Sequence, residues 1–260
     1  MISKLIYSIK FGCELEFSTA FDDSKQFVKD SIHKVFGVNS LNIKKEVFKS
    51  INNKKWDLKL DPSTESELCT PISTWKKIDK ICDVINLIKE KIKVTDNDAL
   101  HVHVDMRNMD EKKILALWLK YEKIILSLFP KYRRESFFCE RSIRKLKSGK
   151  NTASFFKDAM SATSDHHSAI SFNLTEEGKK KRRTVEFRTA EGTKDPVMVR
   201  NWVLFCLSFV HASKKVNPFD ILCDFPYDSS IDDLIVEIGI KDKDLLKWME
   251  SREKKFRKDK

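Results

Sequence analysis

Residues 184–213 read TVEFRTAEGTKDPVMVRNWVLFCLSFVHAS, and the change of period inside this stretch decides the fold. Arg183–Ala190 alternates, with Glu186 and Arg188 on one face, which predicts a strand. Asp195-Pro196 then supplies a helix start. From there Trp202, Val203, Phe205, Cys206, Phe209 and Val210 leave almost no polar side. A helix that is apolar nearly all round is a buried one, so 196–213 is expected to be the central helix, packed on a sheet on at least one side.

Outward from this unit, four more segments repeat apolar residues at helical spacing. They are 23–36, stopped by Gly37, then 75–92, 110–129 behind Asp110 as N-cap, and 241–256. Alternation predicts strands at Ile9–Phe17, Trp56–Leu60, Glu65–Thr70, Leu100–Met106 and Ala169–Leu174. Strands clustered between unequal helices, without a regular βαβα rhythm, predict an α+β fold with a largely antiparallel sheet and flanking helices, rather than a doubly wound or barrel α/β fold. With 260 residues, no repeat and no Pro/Gly/Ser-rich linker, one domain over 1–260 is expected, ending in a charged helical segment at about 230–260.

At 41% hydrophobic residues the chain is too apolar for intrinsic disorder, and Gly 6 with Pro 6 leaves little for a linker-rich or collagen-like architecture. Lys+Arg 50 against Asp+Glu 39 gives a net charge of +11, which suits an anionic ligand. The positive charge is scattered from Lys4 to Lys260 in singles and short runs, which argues against a nucleic-acid footprint. The run Lys179–Arg183 is expected to be a solvated hairpin turn, and the tail from Arg252 a charged helix end. The first ten residues, broken by Lys4 and Lys10, hold no secretory core, and no apolar run reaches the ~18–20 residues of a membrane span. A soluble, cytoplasmic protein is expected. Its six scattered cysteines are read as reduced core residues.

The chemistry concentrates on strands. In FGCELEF, 11–17, Glu14 and Glu16 share one face, an arrangement kept where the acids meet water or a cation. In LHVHVDM, 100–106, His101, His103 and Asp105 share a face, either as a structural pair or as ligands for a divalent metal. Glu186 and Arg188 could form a simple salt bridge, or serve as a metal ligand beside a donor for carboxylate or phosphate. Residues 56–71 read as a hairpin with Glu65 and Glu67 on one face. A sheet wrapped around a cleft would bring Glu14, Glu16, Glu67, His101 and Glu186 together as a hard, oxygen-rich site, favouring Mg²⁺ or Mn²⁺ over structural zinc. An amidohydrolase would need an N-terminal H-x-H and eight βα units, and neither is present.

These residues resemble the amidoligase family of the carboxylate–amine ligase superfamily, which includes glutamine synthetase and glutamate–cysteine ligase. The carrying pieces are FGCELEF, W-x₄-D with ELCTP at 56–71, LHVHVDM, FPKYRRESFFCE at 129–140, and 184–213. The resemblance implies a glutamine-synthetase-like catalytic fold with a curved antiparallel sheet, and ATP-dependent amide formation through an acyl-phosphate. It implies Mg²⁺ or Mn²⁺ nearest the transferring phosphoryl group on Glu14, His101 and Glu186, and a second ion on Glu16 and Glu67. It implies Arg188 stabilising the γ-phosphate and acyl-phosphate, His103 facing the phosphates or substrate, and Asn173 as a nucleotide or substrate contact. Arg133 or Arg134, beside Phe137-Phe138, reads either as a further phosphate or substrate-carboxylate contact or as a loop arginine facing water. The substrates would be a small molecule, peptide or protein bearing a carboxylate, and an amine. The chain departs from the family at Ala99 and Pro62, where glycine is usual, and at His166–Ala169, where a basic–aromatic pair often stands. Two other classes remain: a silent, metal-stapled module binding an anionic partner such as nucleic acid or an acidic protein, and a metal-dependent hydrolase.

Overall fold

In the computed structural model, which describes residues 5–44, 54–61, 63–136, 168–173, 176–177, 180–181, 183–218 and 229–257, the alternating segments form an eight-stranded open sheet. Its strands are β1 (Lys10–Phe17), β2 (Leu41–Lys44), β3 (Trp56–Asp61), β4 (Glu65–Cys69), β5 (Ser73–Thr74), β6 (Ala99–Asp105), β7 (Ile170–Asn173) and β10 (Thr184–Glu191). The order across the sheet is β2-β3-β4-β1-β6-β10-β7, with β5 also beside β1. β8 (Glu176–Glu177) and β9 (Lys180–Lys181) pair separately as an antiparallel hairpin. All pairings in the main sheet are antiparallel except β2–β3, which is parallel. The expected α+β class with a largely antiparallel sheet and flanking helices is therefore observed.

Seven α-helices are described: α1 (Phe21–Phe36), α2 (Ile78–Ile88), α3 (Glu111–Leu126), the short α4 (Lys131–Arg134), α5 (Pro196–Ala212), α6 (Ile231–Ile238) and α7 (Lys243–Phe256). Their starts carry the expected caps. Asp110 and Asp195 each accept a hydrogen bond, from the Lys112 and Val197 amides at 2.9 Å, and Pro196 opens α5. Gly37, at φ 85°, ends α1.

The strands divide the molecule into two sides. Phe187, on the core face of β10, meets Trp118 of α3 and Trp202 and Phe209 of α5 edge-on at centroid distances of 5.8–6.2 Å. With Phe11, Cys13, Leu15, Val102, Val104 and Val185 it forms a floor on which α5 lies buried. The opposite faces of the same strands carry the acids and histidines.

Several details differ from the sequence reading. The helix expected at 75–92 begins with a 3₁₀ turn, Trp75–Lys77, and its α-helical part ends at Ile88. β2, β5, α4 and α6 are short elements that periodicity did not resolve. Four cysteines, Cys13, Cys69, Cys82 and Cys206, are free, while Cys139 and Cys223 lie outside the described residues. No helix among the described residues is long and apolar enough to cross a membrane. Within the basic run, Arg183 pairs with Glu111 at 2.5 Å, and Lys179 and Arg182 lie outside the described residues.

The tail is more than a charged helix end. Arg252 of α7 is buried, pairs with both oxygens of Glu191, and donates from Nε to the Leu128 carbonyl at 2.8 Å. Its guanidinium lies over the rings of Phe129, Trp248 and Phe256. The next residue after Glu191, Gly192, donates its amide to the Asp98 carbonyl at 2.7 Å, and a Cβ there would sit 2.6 Å from Asp98 Cβ and 2.9 Å from its carbonyl carbon. Gly192→Ala must therefore push the turn after β10 off the start of β6. The expected cost is about 1–3 kcal/mol in urea unfolding; an unchanged midpoint would show that the turn yields freely.

Candidate active site

Register places the polar side chains in rows across the open face. Asp57, Cys69, Glu14 and His101 occupy one row across β3, β4, β1 and β6. Lys59, Glu67 and Glu16 occupy the next, and Gly12, His103, Glu186 and Ser171 another. Between Phe187 and Ala190 the pairing of β10 with β6 shifts by one residue, a bulge that carries Arg188 and Thr189 beside His101.

The rows close into one cluster. His101 Nδ1 lies 3.5 Å from Glu14, 3.7 Å from Glu16 and 3.4 Å from Glu186, and His103 Nε2 lies 3.3 Å from Glu14 and 3.9 Å from Glu186. His103 Nε2 is buried and makes no well-directed hydrogen bond. Arg188 donates from Nη1 to Glu186 Oε1, and Asn173 Nδ2 approaches Glu186 Oε2 at 3.5 Å. Glu67 pairs with Lys59 at 2.7 Å and accepts a hydrogen bond from the Cys69 thiol at 2.7 Å on the same oxygen.

Burial opposes ionisation of Glu14, but the two histidines outweigh it and hold the carboxyl well below its ordinary range. Burial likewise opposes ionisation of Glu186, and His103, His101 and Arg188 together bring it down. His103 responds in the opposite sense: desolvation disfavours the imidazolium, yet Glu14 and Glu186 push its pKa up to about 9. Glu16, governed by burial, is raised to about 6, and Glu67 is raised by burial and by Glu14. Ligand atoms of Glu14, His103 and Glu186 all lie within 4.8 Å of one another, as do those of Glu14, Glu67 and Cys69.

Two residues read from the sequence fall outside this cluster. Asp105 shares the face of the histidines but is engaged by Arg107, through Nε at 2.9 Å and Nη2 at 2.6 Å. Glu65 is exposed at the start of β4. Arg133 and Arg134, for which a water-facing loop was one reading, stand on α4 and are 3% and 8% exposed. Arg133 Nη2 donates to the Arg188 carbonyl at 2.7 Å, which ties α4 to the bulge. Of the departures from the family pattern, Ala99 is buried opposite Glu191, Ser168 and Ala169 are buried, and Pro62, His166 and His167 lie outside the described residues. Phe137 and Phe138 lie outside them as well.

The model of the family described as "Putative amidoligase enzyme" matches residues 8–210, a span that holds every residue of this cluster. The chain belongs to the amidoligase family. Among solved structures, the complex between the prokaryotic ubiquitin-like protein Pup and its ligase PafA is similar to this chain at 11% identity and a TM-score of 0.36. That similarity covers 96% of this chain, which spans 65% of the other. No protein of curated function matches the sequence.

Sequence reading alone misses three residues at the cluster. Cys69 was grouped with core cysteines, although its position two residues from Glu67 on a strand already puts it on the acidic face. Lys59 carried no signal, since its role depends on β3 pairing with β4. Gly12 stands opposite His103 with nothing within 4 Å of where a Cβ would be, so it leaves room over the histidine.

Glu16 yields a pH-dependent prediction for the metal-free protein. Its folded pKa of about 6 lies above the ordinary 4.5, so its cost is absent below pH 4.5 and develops as pH rises through 6. Glu16→Gln should therefore unfold like the wild type at pH 4 and be more stable by about 2 kcal/mol at pH 8. Urea titration in chelator at both pH values tests this, and equal differences at the two would contradict the burial argument.

Proposed function

We propose that this amidoligase is an ATP-dependent carboxylate–amine ligase that forms an amide or isopeptide bond through an acyl-phosphate, acting in the cytoplasm on a small molecule, peptide or protein. The observation that carries the reading is the convergence of the Glu14 and Glu186 carboxylates on His101 and His103, at nitrogen–oxygen distances of 3.3–3.9 Å, with Arg188 against Glu186. Neighbouring ligands around Mg²⁺ bound at about 2.1 Å stand roughly 3 Å apart, so modest closure of these side chains suits Mg²⁺ or Mn²⁺. The ionised states of Glu14 and Glu186 support the same fit, as does the buried Nε2 of His103, which makes no well-directed hydrogen bond and would be available as a ligand once a bound cation drives off the proton that the two carboxylates favour in the metal-free site.

Glu14, Glu186 and His101, with His103 adjacent, would hold the divalent ion, and Glu16 and Glu67 border a second cation position. The ion would supply charge neutralisation to phosphate oxygens. A substrate carboxylate oxygen attacks the γ-phosphorus of ATP and the β,γ-bridging P–O bond breaks, releasing ADP. The amine nitrogen then attacks the acyl carbon, phosphate leaves with the C–O electron pair, and the amine loses a proton. Arg188 would meet the charge that develops on the transferring phosphoryl oxygens, freed from Glu186 once that carboxylate serves as a ligand. Arg188 Nε and Arg133 Nε are buried donors without a hydrogen bond, which supports an anion between β10 and α4. Arg134 and Asn173 border the same region and would contact nucleotide or substrate. A covalent enzyme intermediate is not needed, and Cys69, its pKa raised well above normal by burial, is poorly suited to form one.

Purified protein with ATP, Mg²⁺ or Mn²⁺ and a pool of carboxylates and amines should release ADP and phosphate only when both substrates are present. The product should be lighter than their sum by one water. Glu186→Gln should abolish turnover, and Arg188→Lys should lower kcat by roughly 10²–10³ with a smaller change in KM. Product formation without ATP would favour a hydrolase working in reverse and would remove the proposal.

A further inference from the structure

The second cation position already contains a cation. Lys59 stands on β3 directly across from Glu67 on β4, and Glu67 stands directly across from Glu16 on β1. The Lys59 Nζ lies 2.7 Å from Glu67 Oε1, with both side chains only 11% exposed. The Cys69 thiol donates to that same oxygen at 2.7 Å, so the two good acceptor directions of Oε1 are both in use. A divalent ion on Glu67 would have to displace the ammonium, or sit beside it as a like charge in a poorly solvated place. The group formed by Glu14, His103 and Glu186 is less encumbered: Arg188 is the hydrogen-bond donor on Glu186 Oε1, and the close partners of Glu14 are the two histidines.

We propose that the ammonium of Lys59 takes the place of the second divalent ion, so that this chain binds one Mg²⁺ or Mn²⁺ where the family resemblance implies two. The inference rests on the metal-dependent reading of the site. Lys59 is a positioning residue: it neutralises Glu67 from within the sheet, keeps that carboxylate turned toward β3, and leaves the single metal on Glu14, Glu186 and the histidines. The site then carries its second positive charge permanently, independent of metal concentration.

The test is a count of bound Mn²⁺, by equilibrium titration followed by electron paramagnetic resonance, on the purified full chain without nucleotide. Wild type should bind one ion tightly. Glu67→Gln should bind the same one with unchanged affinity, while Glu186→Gln should lose at least about tenfold in affinity. Lys59→Gln, which frees Glu67, should bind two ions and show the broadened signal of a coupled pair. Because Lys59→Gln leaves a buried carboxylate unpaired and could fold poorly, Lys59→Gln combined with Glu67→Gln is the companion variant, and it should return the count to one. Two tight ions in wild type, falling to one in Glu67→Gln, would overturn the role of Lys59 and leave the metal-dependent ligase standing. So would a count of one in folded Lys59→Gln. No Mn²⁺ bound by wild type would overturn both readings.

Discussion

The pairing of β1 with β6 is the contact on which the rest of the molecule depends. It sets Glu14 opposite His101 and Gly12 opposite His103, and in the same register it sets Cys13 opposite Val102 and Phe11 opposite Val104. Because side chains alternate strictly, a slip of one residue would turn carboxylates and imidazoles into the helical core and apolar groups into the site. The site and the core are the two faces of one set of strands, so neither can be assembled without the other. The hydrophobic side, with Phe187 and the rings of α3 and α5 beneath it, specifies the register. The polar side inherits it.

That inheritance explains how buried carboxylates are tolerated. Glu14, Glu16, Glu67 and Glu186 crowd onto three strands, and desolvation works against each of them. The opposing partners are His103 and His101 for Glu14, the same histidines with Arg188 for Glu186, and Lys59 for Glu67. Glu16 is the least compensated: His101 at 3.7 Å and Arg133 favour its charge, but burial, Glu67 and Asp61 outweigh them, and its raised pKa records that imbalance. The cluster thus stores unfavourable electrostatics, and under the proposed metal-dependent reading a divalent ion would relieve them, so its affinity would follow from packing.

Most of the fold was legible because it was written in period. The alternation of FGCELEF, LHVHVDM and TVEFRT located three central strands, and the all-round apolar helix beginning at Asp195-Pro196 located the element they pack on. The residue pairs on each strand face followed from the same alternation. What escaped were features that depend on which strand lies next to which. Lys59 reads as an ordinary exposed strand lysine until β3 is known to pair with β4. Burial of Arg133 and Arg134 could not be read from a four-residue helix, which is too short to show periodicity. The parallel partner β2 is four residues long and carries only two apolar side chains, too few to establish a pattern. Asp105 shows the converse: alternation placed it correctly on the face, but a local partner two residues on removed it from the cluster.

The family match ends at residue 210, in the last turn of α5, and the clamp of Arg252 on Glu191 reaches back across that limit. Glu191 closes β10, three residues beyond Arg188, and it is paired in the sheet with Ala99, two residues before His101. A fragment trimmed at the boundary of the shared sequence would retain every candidate ligand. It would also leave Glu191 without its guanidinium, and Phe129 without the cation over its ring, at the edge of the strands that hold those ligands. A part of the chain outside the family match thereby helps to hold the matched part in register.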